Sequence, residues 1–308
     1  MKALHITENK TFIERRFEQT LLKQIAESNE ASIVIVYGRR RVGKTEMLEQ
    51  TYRNRNILKF EGLENQDDAT QQQHVLSELA EYTDEPLLKK IKPDTWRETF
   101  KIIAPYIKTG KWTLYFEELQ WLANYKTDFV SDLKYAWDNF FRHNKQLILV
   151  LCGSSPSFMI NTVVKSKALY NRSQYEIPLK PFNLIETQHF LPRQSKREIL
   201  NAFLTVGGIP EYLKKIRGKT SVFTSLCQNA FTPGAYFAHE YERIFTSSLS
   251  DNPAYKSILD FLSKQTHASR DDIAKHLKLK TGGWLTELLD NLFLCGFIQK
   301  YTPYNLNE

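Results

Sequence analysis

Cysteine is scarce in this chain: Cys152, Cys227 and Cys295 are the only three in 308 residues, and each sits in an apolar run. Thiols so few and so far apart exclude a disulfide scaffold or a cysteine-built zinc site, and read as buried, reduced side chains. No run approaches the roughly eighteen apolar residues of a membrane span. The opening MKALHITENK lacks the apolar stretch of a signal peptide. Together these absences predict a cytoplasmic protein without a membrane partner. The seven histidines show no paired spacing suited to a metal. Gly153-Ser-Ser155 lacks the second glycine of a nucleophile elbow, so covalent acyl chemistry is not expected. Internal repeats and low-complexity linkers are also missing.

What is present supports two or three compact units. The hydrophobic fraction is 42%, with 19 Phe and 15 Tyr, enough for sizeable cores. Lys+Arg minus Asp+Glu is 42 − 35 = +7. That excess suits an anionic partner such as nucleic acid, and equally suits simple solubility.

Short, almost wholly apolar runs alternate with helical patterns through the first part of the chain. Ser32–Tyr37 reads as a strand buried on both faces, Trp112–Phe116 and Gln146–Cys152 as further apolar strands, Ile57–Phe60 as a candidate strand, and Ser173–Leu179 as a shorter one. Between them, 14–27, 45–52, 69–82, 95–107 and 129–142 read as helices. This order predicts an α/β fold, a doubly wound parallel sheet with helices on both faces. Beyond Pro181 strands give way to helices near 183–190, 195–206, 210–216 and 221–230, an all-helical lid region. From about residue 252 three short helices (255–263, 270–277, 285–295) precede a candidate strand, Phe297–Tyr301, which is the order of a winged helix. The expected division is 1–181, 182–250 and 251–308.

The segment Gly38-Arg39-Arg40-Arg41-Val42-Gly43-Lys44-Thr45 fits G-x-x-x-x-G-K-[ST] completely, between a strand and a helix. Glycines let backbone N–H groups turn inward around a phosphate, and the next helix presents its positive end to it. Lys44 would reach the β- and γ-phosphates and the Thr45 hydroxyl would ligate Mg²⁺. Glu46 follows on the same first helical turn. Glu117-Glu118 stands directly after a strand. Glu117 suits the metal side, where Asp is usual, and Glu118 suits polarisation of an attacking water. An acidic pair opening a solvated helix would look the same. Ser154 ends the next strand and could contact the γ-phosphate, or simply cap a turn.

Taken in order, these motifs resemble the archaeal-type ATPase family, a branch of the P-loop NTPases related to the AAA+ and STAND groups. Phe12-Ile13-x-Arg15 with Glu18 is similar to the family's entry motif, with Glu14 where glycine is usual. Leu169-Tyr-Asn-Arg172 is similar to its "LYGR" segment, with Asn171 for glycine. The resemblance implies that Arg172 is an arginine sensor or finger near the γ-phosphate. Gly207-Gly-Ile-Pro-Glu-Tyr212 matches "GGxPxY" and implies that Pro210 packs on adenine as a lid residue. It also implies ATP as the nucleotide, and a chain ending after the winged helix as a short form.

Basic residues around Lys278–Thr281 suggest phosphate contacts, but the presumed recognition helix carries Glu287 and Asp290 and no Arg or Lys, which disfavours base readout. Two function classes follow. One is an Mg²⁺-dependent ATPase switch, in which a homo-oligomer is possible. The other is a non-hydrolysing nucleotide-gated adaptor, binding protein or DNA through the winged helix.

Overall fold

The computed structural model describes residues 4–13, 15–170, 172, 174–218, 221–240, 252–278 and 282–301. Five strands pair in parallel in the order β2-β3-β4-β1-β5. They are β1 (Ser32–Tyr37), β2 (Asn56–Glu61), β3 (Trp112–Glu117), β4 (Ile148–Gly153) and β5 (Gln174–Pro178). The register pairs Tyr37 with Gly153 and with Pro178, and Glu61 with Glu117. The carboxyl ends of the strands therefore form one edge, where ligands of open α/β sheets bind.

Side chains alternate across the strands, so each apolar run feeds two cores. Ile33, Ile35, Phe60, Leu114, Phe116 and Leu151 face one way. There they meet α3 (Asp68–Thr83), α4 (Trp96–Ile103) and α6 (Asp128–Asn139), through Val75, Leu79, Phe100, Phe129 and Leu133. Phe100, Phe116 and Phe129 pack edge to face at 5.3–5.8 Å between centroids, worth about 0.5–1.5 kcal/mol per pair beyond their buried area. Val34, Val36, Tyr115, Val150 and Cys152 face the other way, onto α1 (Arg16–Glu27) and α2 (Lys44–Tyr52) through Leu22, Ile25, Met47 and Leu48. Both faces are covered, as the sequence led us to expect of a doubly wound sheet. At the opposite, amino-terminal edge Arg55 fastens strands together, donating to Thr113 Oγ1 (3.0 Å), the Trp112 carbonyl (2.8 Å) and the Gln146 carbonyl.

Two short helices follow strand ends: α5 (Leu119–Leu122) after β3 and α7 (Pro156–Phe158) after β4. Past β5 come α8 (Leu184–Phe190), α9 (Lys196–Val206), α10 (Pro210–Ile216) and α11 (Val222–Phe231). Asn183 with Glu186, and Ser195 with Glu198, close capping boxes at the starts of α8 and α9. These helices share a core of Phe182, Ile199, Ala202, Leu213 and Val222. Gly208 is obligatory there: its φ is +67°, and a Cβ would lie 2.1 Å from the Phe182 carbonyl oxygen, whose own residue donates its N–H to the Gly208 carbonyl at 2.8 Å.

The last three helices, α12 (Pro253–Leu262), α13 (Arg270–His276) and α14 (Gly283–Leu294), close on Tyr255, Ile258, Ile273, Leu285 and Leu292. The helix α14 lies against α7. The strand expected at Phe297–Tyr301 does not form. A strand needs a hydrogen-bonding neighbour, and among the described residues none runs beside this one. Among the described residues this region is therefore three helices around one small core, with no strand beside them. Glu14, Asn171 and residues 279–281, with the basic Lys280 among them, lie outside the described residues. Among the described residues no helix is long and apolar enough to cross a membrane.

Candidate nucleotide-binding site

The loop after β1 is built on a close approach. The Leu179 N–H donates to the Tyr37 carbonyl at 2.7 Å, and a Cβ on Gly38 would stand 2.2 Å from the Leu179 carbonyl oxygen. Only glycine fits. The loop then closes through Arg41 and Gly43, both left-handed (φ 70° and 88°), and α2 begins at Lys44 with no side chain capping it. The first N–H groups of α2 therefore face the loop interior, the arrangement that holds anions. Lys44 is buried and lies across the loop, its Nζ 2.8 Å from the Gly38 carbonyl and 3.2 Å from that of Arg39.

Thr45 and Glu117 meet from different elements: the Thr45 hydroxyl donates to Glu117 Oε1. Glu117 is buried at the tip of β3, and its Oε2 lies 2.6 Å from the Lys59 ammonium on β2. Glu118 takes a different course. Its backbone is left-handed (φ 48°, ψ 51°), which is costly for a residue with a side chain, and the turn sends its carboxylate toward β4. There the Ser154 hydroxyl donates to Glu118 Oε2 at 2.5 Å, and Gln120 Nε2 donates to the same oxygen at 2.7 Å. Gln120 also reaches Ser154 Oγ at 3.1 Å. Arg40 stands 3.9 Å from Glu118 Oε1 and lies over the Trp121 ring at 4.8 Å. Two carboxylates adjacent in sequence thus occupy separate electrostatic settings.

A family model of the ATPase domain found predominantly in Archaea matches residues 12–216, more than half of the chain. The chain belongs to this archaeal ATPase family. An uncharacterized protein of Methanocaldococcus jannaschii is 25% identical over 295 residues, covering 95% of this chain and 63% of that protein. The chain therefore spans less than two thirds of the length of that relative. Among solved structures, the Walker-type ATPase paby2304 of Pyrococcus abyssi superposes with a TM-score of 0.70 at 19% identity, covering 97% of this chain and 94% of that one. The Aeropyrum pernix ORC2 protein gives 0.57 at 14% identity (96% and 89% covered). The Thermotoga maritima RuvB Holliday junction branch migration motor gives 0.52 at 14% identity (96% and 93%). These similarities are of fold.

In this member of the family the loop arginines make their contacts outside the loop. Arg39 lies over the Phe297 ring at 5.0 Å, and burial lowers its pKa from the ordinary arginine value. Arg41 pairs with Glu240 and lies over Tyr236 (5.3 Å) and Tyr212 (5.7 Å); the Tyr212 hydroxyl donates to the same Glu240 oxygen at 2.6 Å. Val42 is buried in the core, and its carbonyl accepts from Arg15 at 2.9 Å. Glu46 accepts from Asn9 at 2.8 Å. Pro210 is the first residue of α10. Arg172 is not brought to the loop: its guanidinium is held by both oxygens of Asp138 (2.9 and 3.0 Å), and this pair keeps the Asp138 carboxyl below its usual range. Sequence reading missed Lys59, Gln120 and Glu240. Only Gln120, two residues past an acidic pair, left any trace to search for.

Proposed function

We propose that this protein binds ATP with Mg²⁺ at Gly38–Thr45 and hydrolyses it to ADP and phosphate, serving as a nucleotide-dependent switch. The observation that carries this reading is the convergence of three strand ends: Lys44 and Thr45 after β1, Glu117 and Glu118 at β3, and Ser154 at β4, joined by the Thr45–Glu117 and Ser154–Glu118 hydrogen bonds.

The oxygens of Thr45 and Glu117 fit Mg²⁺, a hard cation that takes few protein ligands beside substrate phosphates. Among the described residues no cluster of three or more His, Cys, Asp or Glu is arranged to hold a metal, so these two oxygens would be its protein share. When bound, the ion would neutralise charge on the β- and γ-phosphate oxygens. Gly38, Gly43 and the start of α2 would bind phosphates through N–H groups, with the side chains of Arg39, Arg40, Arg41 and Glu46 turned to other partners. Lys44 would exchange its loop carbonyls for phosphate. Glu118, aimed by Ser154 and Gln120, would accept the proton of the attacking water. Pro210 stands at the head of the helix carrying Tyr212, and adenine contact there rests on the family motif. Arg172 can act on a γ-phosphate only after leaving Asp138, so we give it no part in this arrangement.

Phosphate release from ATP, measured for wild type, Lys44→Ala and Glu118→Gln, tests the reading. Wild type should turn over with Mg²⁺, Lys44→Ala should neither bind nor turn over, and Glu118→Gln should bind without turnover. Wild-type turnover no greater than that of Lys44→Ala would refute hydrolysis. A non-hydrolysing adaptor would then stand, since the contacts of Arg39 and Arg41 already link the loop to the chain after β5. DNA binding is the weaker version of that role. Two structural neighbours are an ORC2 protein and a branch migration motor, but Glu287 is exposed on α14 and would repel phosphate.

A further inference from the structure

Lys59 belongs to no motif, yet it touches the residue on which the metal reading depends. It stands on β2 opposite Tyr115 in the register that sets Glu61 opposite Glu117. Its ammonium lies 2.6 Å from Glu117 Oε2, 3.0 Å from Glu49 Oε1 on α2 and 5.5 Å from the centre of the Tyr115 ring. The Glu117 carboxylate is therefore divided: one oxygen accepts from the Thr45 hydroxyl, and the other forms an ion pair with the Lys59 ammonium. Burial works against the lysine charge, but Glu117 and Glu49 outweigh it and hold its pKa above the ordinary lysine range.

The division matters because Glu117 stands where an aspartate is usual. A glutamate has one more rotatable bond, and a free carboxylate at its end can swing, rotate or present both oxygens. Magnesium demands a near-octahedral shell and tolerates such freedom poorly. Other acids crowd the same edge. Glu61 at the end of β2 has a raised pKa, through burial first and then the charge of Glu117.

We propose that Lys59 is a positioning residue for the metal: it pins Glu117 Oε2 so that only Oε1 is offered beside Thr45, letting the longer side chain do the work of the shorter one. This rests on the Mg²⁺-nucleotide reading above. The geometry predicts a coupling specific to glutamate. Remove Lys59, and a glutamate loses its anchor. With aspartate at 117 the shorter side chain needs no anchor, and the lysine becomes dispensable.

The test titrates Mn²⁺, followed by electron paramagnetic resonance, into the full chain saturated with a non-hydrolysable ATP analogue. Metal-free affinity for a fluorescent ATP analogue and a thermal melt are measured on each variant. Lys59→Met should weaken Mn²⁺ binding by about 10- to 100-fold, the usual cost of losing a ligand's supporting partner, and leave metal-free nucleotide affinity unchanged. Lys59→Arg should recover most of the loss. In a Glu117→Asp background, Lys59→Met should change Mn²⁺ affinity far less. Equal losses in both backgrounds, no loss, or tighter metal binding on removing the lysine would each overturn the proposal. Wild type that binds no nucleotide would instead bring down the functional reading, and this inference with it.

Discussion

The sheet edge and the chain after β5 both touch the loop at Gly38–Thr45, but they hold it by different means. At the sheet edge, Tyr37, Glu117 and Gly153 are set by parallel backbone ladders, with fully buried side chains beneath them. On the C-terminal side the loop is met by single side chains, Arg39 on Phe297 and, from the helices after β5, Arg41 with Glu240. Backbone ladders are cooperative and give way only with the fold. A cation over a ring or a single ion pair can open while both sides stay folded. Rigid placement on one side and breakable contacts on the other is the division of labour that the proposed switch would use.

That contrast can be broken at the sheet or sharpened at the contacts. Phe116→Ala removes a fully buried ring shared by β3, α4 and α6, and should cost about 3–5 kcal/mol in urea unfolding; a loss below about 1 kcal/mol would mean the edge is not rigid. Glu240→Gln should cost about 1.5–3 kcal/mol, the worth of hydrogen bonds to a charged group, and should expose the chain after β5 to limited proteolysis while a tryptophan spectrum of the sheet stays native. Loss of sheet structure in that variant would erase the distinction between the two sides.

A pH experiment probes the acids that flank the edge. Burial, and then neighbouring carboxylates, push the Glu78 carboxyl on α3 up to about 7. The folded protein thus takes up a proton that the unfolded chain has already released, so stability falls as pH rises from the usual carboxylate range through about 7. Glu78→Gln should be more stable than wild type at pH 8, by about 1–3 kcal/mol, and no more stable at pH 4. Equal stability at both values would contradict the raised pKa. The smallest effect is expected of Phe297→Ala, about 0.5–1 kcal/mol, seen as easier release of α12–α14 with no change in the sheet.

The legible part of the molecule was the part that local physics dictates. The run Ser32–Tyr37 is apolar, β-branched and stopped by glycine, and it forms β1 with those bounds. Asn183 and Ser195 announced helix starts and cap them. The motif at Gly38–Thr45 and the acids after β3 were readable because their spacing is short. What stayed hidden depends on register and distance. In Asn56–Glu61 no motif marks Lys59, and only pairing with β3 sets it beside Glu117. The pair Arg41–Glu240 joins residues 199 apart. The turn at Glu118 is left-handed for reasons local preference opposes. The strand expected at Phe297–Tyr301 failed because alternation of residue type cannot supply a partner.

One contact near the loop has a mechanical meaning. Gly38 is pressed on the Leu179 carbonyl, and Gly208 is pressed on that of Phe182. Between the two pressed points run only Lys180 and Pro181, a link that reaches about 10 Å at full stretch and is stiffened by the proline ring. Such a link transmits displacement and does not absorb it. Movement of the loop backbone would arrive at Gly208, two residues before α10, as a push on a short rod, so the glycines at its ends act as the bearings of a crank.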